Sequence, residues 1–253
     1  MANALVLKKI SKTFGEFCAL KNINANVPER KVTAFIGPNG AGKTTLFNII
    51  AGMLKSDEGM VTMNGKDITG MPAYAIARLG LGRQFQDLRV FDTLTVVENL
   101  LVAALPHKSR DAWCAWRGSK QERKIVKQLK QKVMHWIEYV GLQDEKDNLA
   151  RNLSFGQQKL LTIARLFAQD ANILLLDEPT AGLSYKMMKQ IVELIYKSVE
   201  EHGFTVALVE HNMSVVEDLS YWIHFMHEGK VAFSGKTAHV LGNQSVREIY
   251  MGL

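Results

Sequence analysis

Residues 37–45 have the types and spacing of a phosphate-binding loop. They read Gly-Pro-Asn-Gly-Ala-Gly-Lys-Thr-Thr and match the pattern G-x-x-x-x-G-K-S/T. In such a loop, backbone N–H groups surround phosphate oxygens, the lysine reaches the β- and γ-phosphates, and the next hydroxyl holds Mg²⁺. We therefore predict that Lys43 binds nucleotide phosphates and that Thr44 is a Mg²⁺ ligand. The predicted nucleotide-contacting residues of the loop are Gly37, Pro38, Asn39, Gly40, Ala41, Gly42, Lys43, Thr44 and Thr45.

Two carboxylates follow a second apolar stretch, at Asp177 and Glu178. Residues 173–176 read Ile-Leu-Leu-Leu, which is typical of a buried strand. At the carboxyl end of such a strand, beside a phosphate loop, Asp177 is expected to hold the water shell of the metal. Glu178 is expected to face the γ-phosphate and to polarise the attacking water. Without the loop, two acids after a strand would be unremarkable.

The segment 153–158 opens a helix and has two interpretations. Ser154 and Gln157 have the spacing of a capping box, so the segment can be an ordinary capped helix start. Alternatively, it is a second phosphate-binding helix N-terminus. Because one nucleotide cannot easily use two such sites of one chain, the second interpretation implies another copy of the protein.

The elements that position these residues predict an α/β fold. Residues 32–36, before the loop, are short, apolar and β-branched, and residues 44–52 read as a short helix that ends at Gly52. Buried strands alternate with helices, which predicts a P-loop core with a mostly parallel sheet. Further strands are predicted at 4–8, 23–27, 61–63, 172–176, 204–209, 221–226 and 231–233, and helices at 72–77, 92–101, 125–140 and 187–198. The first three of these strands predict an N-terminal antiparallel sheet, and the mainly helical stretch 87–169 predicts a subdomain.

Composition is that of an ordinary globular protein. Of the 253 residues, 47% are hydrophobic and 22% charged, enough to build a sizeable core. No run approaches the 18 or so apolar residues of a membrane span. The two cysteines, Cys18 and Cys114, form no C-x-x-C pair, which favours a reducing compartment.

The net charge of +6 comes from one segment, since residues 107–132 hold nine Lys or Arg against Asp111 and Glu122. This segment can be a solvated helix face. It can also contact anionic lipid, for which Trp113 and Trp116 are suited. We expect no nucleic-acid partner, because no groove-reading or base-stacking module is present.

Five motifs, in order, resemble those of the ATP-binding subunit of an ATP-binding-cassette (ABC) transporter. They are the phosphate loop at 37–45, Gln86 in Arg-Gln-Phe-Gln, Leu-Ser-Phe-Gly-Gln at 153–157, the strand ending in Glu178, and His211 in Val-Glu-His-Asn. The likeness covers nearly the whole chain. It implies one ABC ATPase domain over 1–253, with the helical subdomain at 87–169 inside it.

The resemblance also implies roles. Gln86 would sense Mg²⁺ and the γ-phosphate, and His211 would contact the γ-phosphate and hold the attacking water. Phe14 matches the aromatic that stacks on adenine, with core packing as the alternative. Ser154 and Gly156 would grip the γ-phosphate of ATP bound to the opposite subunit. The implied catalytic set is Glu178, His211 and Gln86; the metal set is Thr44, Gln86 and Asp177; the implied nucleotide contacts beyond the loop are Phe14, Ser154, Gly156 and Gln157.

Two residues depart from the commonest ABC pattern. Phe155 replaces the first glycine of the signature, and Ser184 replaces the usual aspartate of the D-loop. Both departures resemble the branch that imports branched-chain amino acids, amides and urea. Because Glu178 and the glutamines are retained, we expect ATP hydrolysis; a non-hydrolysing regulatory subunit is the alternative that the two departures raise. The lipopolysaccharide-export ATPases share much of the layout and remain a second alternative.

The resemblance implies partners and a location. Two ATP-binding subunits, identical or different, would form a head-to-tail dimer with ATP and Mg²⁺ between them. Transmembrane permease subunits would dock near 87–100, a solute-binding protein would serve an importer, and the subunit would lie on the cytoplasmic face of the inner membrane. A soluble ABC protein of translation or repair would carry two cassettes or a long coiled-coil insertion, neither of which this sequence shows.

Overall fold

The computed structural model describes residues 2–85, 88–105 and 120–251, without the side chains of residues 120–125 and 250–251. The expectations for Gln86, Cys114, Trp113 and Trp116 lie outside these residues. The chain divides into two compact units. The sheet unit comprises Met1–Arg83, Asn172–Ala181 and Met188–Leu253, and the helical unit comprises Gln84–Ala171 and Gly182–Met187. The predicted subdomain 87–169 overlaps the helical unit, and its place inside one ABC domain stays a prediction.

All the described strands belong to the sheet unit. Their bounds are β1 (Asn3–Phe14), β2 (Phe17–Pro28), β3 (Val32–Ile36), β4 (Glu58–Met63), β5 (Lys66–Asp67), β6 (Leu81–Arg83), β7 (Ile173–Asp177), β8 (Thr205–Val209), β9 (Trp222–His227) and β10 (Lys230–Lys236). They form a six-stranded sheet in the order β10-β9-β3-β8-β7-β6 and a four-stranded sheet in the order β2-β1-β4-β5.

The six-stranded sheet is parallel except at one edge. β3 is parallel to both of its neighbours, β8 and β9, and β7 is parallel to both of its neighbours, β8 and β6. Only the edge strand β10 is antiparallel, to β9. Every residue of β3, β7 and β8 is buried, as is typical of parallel strands covered on both faces. These features confirm the predicted α/β fold with a mostly parallel sheet.

The four-stranded sheet is antiparallel, as predicted, but its first strand is longer than predicted. β1 continues past residue 8 because the pairing with β2 shifts register between Leu7 and Ile10. At the shift, Lys9 adopts a positive φ of 52°. Lys8 and Lys9 are both exposed there, and Ile10 after them is again fully buried. The two lysines interrupt the apolar alternation in the sequence, which is why the strand appears to end there.

His224, on β9, links the two sheets. Its side chain is 1% exposed, its Nδ1 lies 2.6 Å from Ser234 Oγ, and its Nε2 lies 2.9 Å from the backbone oxygen of Asn26 on β2. The ring also packs on Phe35, with 5.0 Å between centroids. Burial lowers the pKa of His224 below its ordinary value of 6.5, although the hydrogen bond to Asn26 opposes the shift.

We expect His224 to make the fold acid-sensitive. Because its folded pKa is depressed, the folded state holds the ring neutral, and stability is retained above about pH 6.5 and lost as pH falls toward the folded pKa. The His224→Gln variant should therefore lose stability less steeply between about pH 7.5 and 5.5, by at most about 1.4 kcal/mol per pH unit. Chemical denaturation at each pH measures this difference. His239→Gln, at an exposed histidine, is the matched control, and equal slopes for wild type and His224→Gln would contradict the expectation.

Nine α-helices lie in the described residues. They are α1 (Lys43–Ile50), α2 (Ala73–Arg78), α3 (Val96–Ala104), α4 (Lys120–Tyr139), α5 (Phe155–Ala168), α6 (Tyr185–His202), α7 (Met213–Leu219), α8 (Thr237–Leu241) and α9 (Gln244–Met251). The helical unit is built on α3, α4 and α5, with Trp136 and Phe167 packed at 5.0 Å between ring centroids. α3 begins later than predicted, because Thr95 and Glu98 form its capping box. No helix in the described ranges has the length and apolarity that crossing a bilayer requires.

Candidate nucleotide site

The phosphate loop joins β3 to α1, and two of its glycines are required by the backbone. Gly42 precedes α1 with a φ of 97°, and a Cβ there would lie 2.7 Å from the backbone oxygen of Ala19. At Gly37, a Cβ would lie 2.0 Å from the backbone oxygen of Met226. No other residue fits either position without moving backbone, so the loop can keep this shape only with glycine there.

Lys43 carries the loop's positive charge in a fixed position. Lys43 is 6% exposed. Its ammonium donates hydrogen bonds to the backbone oxygens of Gly37, at 2.8 Å, and Pro38, at 2.9 Å. Burial lowers the pKa of Lys43, while the carboxylates of Glu178 and Asp177 act in the opposite direction. A cation held this way is a preformed partner for an anionic ligand.

Three parallel strands bring the phosphate loop, Glu178 and His211 to one edge of the sheet. β3, β8 and β7 are adjacent, and their carboxyl ends lead into the phosphate loop, His211 and Glu178 respectively. In open α/β sheets, ligands bind at this edge. His211 Nε2 lies 3.1 Å from Glu178 Oε1, with both side chains partly exposed. A base and its neighbouring imidazole at this distance can orient a water molecule between a phosphate and the protein.

Asp177, the last residue of β7, is almost fully buried. Burial raises its pKa, whereas the guanidinium of Arg83, with Nη2 3.9 Å from Asp177 Oδ2, acts to lower it. Glu178 raises the Asp177 pKa further, and Lys43 and His211 lower it. Arg83 was not among the predicted site residues. Its position on β6, the strand beside β7, could not be inferred from spacing along the chain.

Glu210 is the second residue that the sequence patterns missed. It is 2% exposed, and its Oε1 accepts hydrogen bonds from the backbone N of Thr180, at 3.0 Å, and from Thr180 Oγ1, at 2.6 Å. Its Oε2 accepts from the backbone N of His211, at 3.1 Å, and of Asn212, at 3.5 Å. The available signal was an acid directly after the wholly apolar end of β8, where a buried carboxylate needs partners.

In the helical unit, Ser154 and Gln157 form the capping box that begins α5. Ser154 Oγ accepts from the backbone N of Gln157, at 3.3 Å, and Gln157 Oε1 accepts from the backbone N of Ser154, at 2.9 Å. Gln157 Nε2 also donates to Glu145 Oε1, at 3.1 Å. The helix-cap interpretation is thus realised, and Ser154 is exposed at the same time. Gly156 is buried, and a Cβ there would lie 2.7 Å from Met187 Cγ. Contact of this segment with a nucleotide stays a prediction.

The two departures from the ABC pattern have local partners in the helical unit. Phe155 is 50% exposed, with Lys159 Nζ 5.4 Å from the centre of its ring. A Cβ at Gly182 would lie 3.2 Å from Phe155 Cε1, so the ring packs against the segment that leads to α6. Ser184 Oγ accepts a long hydrogen bond, 3.4 Å, from the backbone N of Met187 in the first turn of α6. Serine and aspartate are both good acceptors at such helix starts.

Phe14 lies at the end of β1, where β1 turns into β2. Its side chain is 48% exposed, and the ammonium of Lys12 lies 5.6 Å from the ring centre. Core packing, the alternative to adenine stacking, requires burial and is therefore wrong. An exposed aromatic face is available for stacking, and that role stays a prediction.

Comparisons with known proteins agree with this geometry. The sequence model of the family described as "ABC transporter" matches residues 20–181. The chain is 36% identical over 248 residues to the high-affinity branched-chain amino acid transport ATP-binding protein BraF of Pseudomonas aeruginosa, covering 98% of this chain and 97% of BraF. It is similar to the crystal structure of a nucleotide-free ATP-binding cassette from an ABC transporter, with a TM-score of 0.85, 30% identity and full coverage of both chains. It is also similar, with a TM-score of 0.75, 28% identity, and 92% and 98% coverage, to the dimeric post-hydrolysis state of an ATP-binding cassette bound to ADP and Pi.

Proposed function

The chain belongs to the ABC transporter family, as an ATP-binding and ATP-hydrolysing subunit, and we propose that it powers the uptake of branched-chain amino acids or related small polar solutes. The observation that supports ATP hydrolysis as the power source is the edge of the main sheet where β3, β8 and β7 end. There a buried lysine, two acids and a histidine stand together, with Glu178 and His211 in direct contact.

We propose that the residues predicted from the sequence each have one part in ATP hydrolysis. The loop N–H groups and Lys43 hold the phosphates of ATP, and Phe14 stacks on its adenine. Glu178 accepts a proton from the attacking water, and His211 keeps that water and the Glu178 carboxylate in place. Gln86 completes the catalytic set and reports the state of the γ-phosphate.

Mg²⁺ fits the same edge. Thr44 offers an exposed hydroxyl in the first turn of α1, and Asp177 offers a carboxylate at the end of β7. Oxygen ligands of this kind suit Mg²⁺, which keeps several of its waters in such sites. Thr44, Asp177 and Gln86 would hold the ion, which when bound would neutralise charge on the phosphates.

A second subunit completes each site. We propose that Ser154 and Gly156 of one subunit contact the γ-phosphate held by the loop of the other, with Gln157 as a further nucleotide contact, so that ATP closes a head-to-tail dimer. The dimeric, ADP- and Pi-bound relative supports this arrangement. ATP then favours the closed dimer and ADP the open one, and this difference in affinity lets the cycle do work.

The proposed transport role adds membrane partners. Permease subunits dock near 87–100, on the cytoplasmic face of the membrane, and a solute-binding protein delivers the cargo. The likeness to BraF over nearly the whole length of both chains supports branched-chain amino acids as cargo. The alternative is a lipopolysaccharide-export ATPase with the same cassette.

The test is uptake in the cell that encodes the protein. Deleting the gene should abolish high-affinity uptake of radiolabelled leucine, isoleucine and valine. The wild-type gene should restore uptake, and a Glu178→Gln gene should not. Uptake of radiolabelled proline is the control for general membrane energetics. Unchanged uptake of all three amino acids would overturn the cargo assignment, and loss of lipopolysaccharide from the cell surface instead would favour the export alternative.

A further inference from the structure

The Glu210 carboxylate joins two segments that carry the hydrolytic groups. One oxygen accepts from Thr180, two residues after Glu178, and the other accepts from the backbone of His211 and Asn212. At 2% exposure, this carboxylate has little access to water. Every polar contact described for it therefore goes to the segment after β7 or to the segment after β8.

The backbone at Glu178 needs such support. Glu178 has a φ of 49°, a left-handed conformation that a non-glycine residue keeps only where its surroundings impose it. The backbone N of Glu178 donates a hydrogen bond to the backbone oxygen of Val209, at 2.9 Å. Residues 178–181 form a turn, in which the backbone N of Ala181 donates to the backbone oxygen of Glu178, at 3.2 Å. With Thr180 held by Glu210, this turn is bonded to the last residue of β8 at Glu178 and to the residue after β8 at Thr180.

We propose that Glu210 is a positioning residue for ATP hydrolysis, which holds Glu178 and His211 at their 3.1 Å contact. The inference rests on the proposed roles of those two residues. A buried carboxylate is a costly way to join two loops, because its desolvation offsets much of what its hydrogen bonds contribute. The arrangement is understandable where geometry matters more than stability, since a small misplacement of a catalytic group can cost about 100-fold in rate.

The first test is Glu210→Gln in the full-length protein. The amide keeps one acceptor oxygen, but it presents an NH₂ group where a second acceptor is needed. The hydrogen bonds to one of the two segments are therefore lost. We expect kcat for ATP to fall about 10- to 100-fold. The affinity for trinitrophenyl-ATP should change less than about threefold, because Lys43 and the loop are untouched.

Thr180 gives a milder matched pair that does not alter the buried charge. Thr180→Val removes the hydroxyl bond to Glu210 Oε1 and keeps the shape, so kcat should fall about fivefold. Thr180→Ser keeps the hydroxyl and should stay within about twofold of wild type. If Glu210→Gln does not fold, this pair alone decides the question, and equal kcat values for the valine and serine variants would overturn the proposal.

A double variant separates positioning from a general structural role. If Glu210 acts through Glu178 and His211, then adding Glu210→Gln to Glu178→Gln should lower the rate by a smaller factor than Glu210→Gln does in the wild-type protein. Independent, multiplying losses would overturn the proposal. Ser198→Ala is the control for loss of a buried hydrogen bond elsewhere: Ser198 is fully buried and its Oγ donates to Ile195 O at 2.7 Å, and this variant should lower the melting temperature without lowering kcat.

The outcomes distinguish this inference from the function on which it rests. A wild-type protein that does not hydrolyse ATP would overturn both. Normal wild-type hydrolysis that Glu178→Gln abolishes, together with an unchanged kcat for Glu210→Gln, would overturn the role of Glu210 alone. A parallel loss of kcat and of nucleotide affinity would identify Glu210 as a residue that only maintains the fold.

Discussion

The Glu178→Gln protein should bind ATP and turn it over about 10²- to 10⁴-fold more slowly than wild type, which is the range that a general base contributes. The amide keeps the size of the side chain and can still hydrogen-bond to His211, but it cannot accept a proton from water. Bound ATP should therefore persist, and the proposed ATP-closed dimer should accumulate. Phosphate release measures the rate, a trinitrophenyl-ATP titration measures binding, and size-exclusion chromatography with ATP measures dimer formation.

Glu217→Gln is the matched control for Glu178→Gln. Glu217 is exposed on α7, so the same chemical change there should alter neither the rate nor the elution position. An undiminished ATPase rate in Glu178→Gln would remove Glu178 from the role of base. A low rate with no ATP binding would show instead that the substitution disturbs the loop.

Much of the main sheet could be predicted because its signals are local. A few consecutive residues are enough to recognise each of three features: the phosphate loop, the apolar strand before Asp177 and the apolar strand before His211. The rule that parallel strands end at one edge then brings these groups together, and the structure has them there. The bounds of β3, residues 32–36, were predicted to the residue.

The remaining features depend on contacts between distant parts of the chain. Arg83 reaches Asp177 across β6 and β7, and Glu210 reaches Thr180 across 30 residues. No periodicity records such pairs, because each depends on which strands become neighbours. The late start of α3 has a different cause: residues 92 and 95 can both cap a helix, and the reciprocal bonds of Thr95 with Glu98 decide between them.

Replacing Lys43 with methionine should weaken ATP binding about 100-fold or more. Hydrogen bonds to charged groups contribute about 1.5–3 kcal/mol each, and the proposed ammonium contacts reach two phosphates. Isothermal titration with ATP in the presence of Mg²⁺ measures the loss. Lys66→Met, at an exposed lysine on β5, is the matched control and should leave the affinity unchanged.

The same Lys43→Met variant should not lose stability, which distinguishes a binding residue from a structural one. Burial lowers the pKa of Lys43, so its charge opposes folding below its ordinary pKa of 10.5. Methionine removes that charge and keeps the apolar stem, and this gain offsets the loss of the hydrogen bonds to the backbone oxygens of Gly37 and Pro38. We expect the melting temperature near neutral pH to stay equal or rise. Retained ATP affinity would exclude Lys43 from phosphate binding, and a fall of several degrees together with weakened binding would mean that Lys43 acts by holding the loop in shape. A buried cation whose pKa is lowered by burial, placed where three strands deliver Glu178, His211 and the phosphate loop, is suited to an anionic ligand.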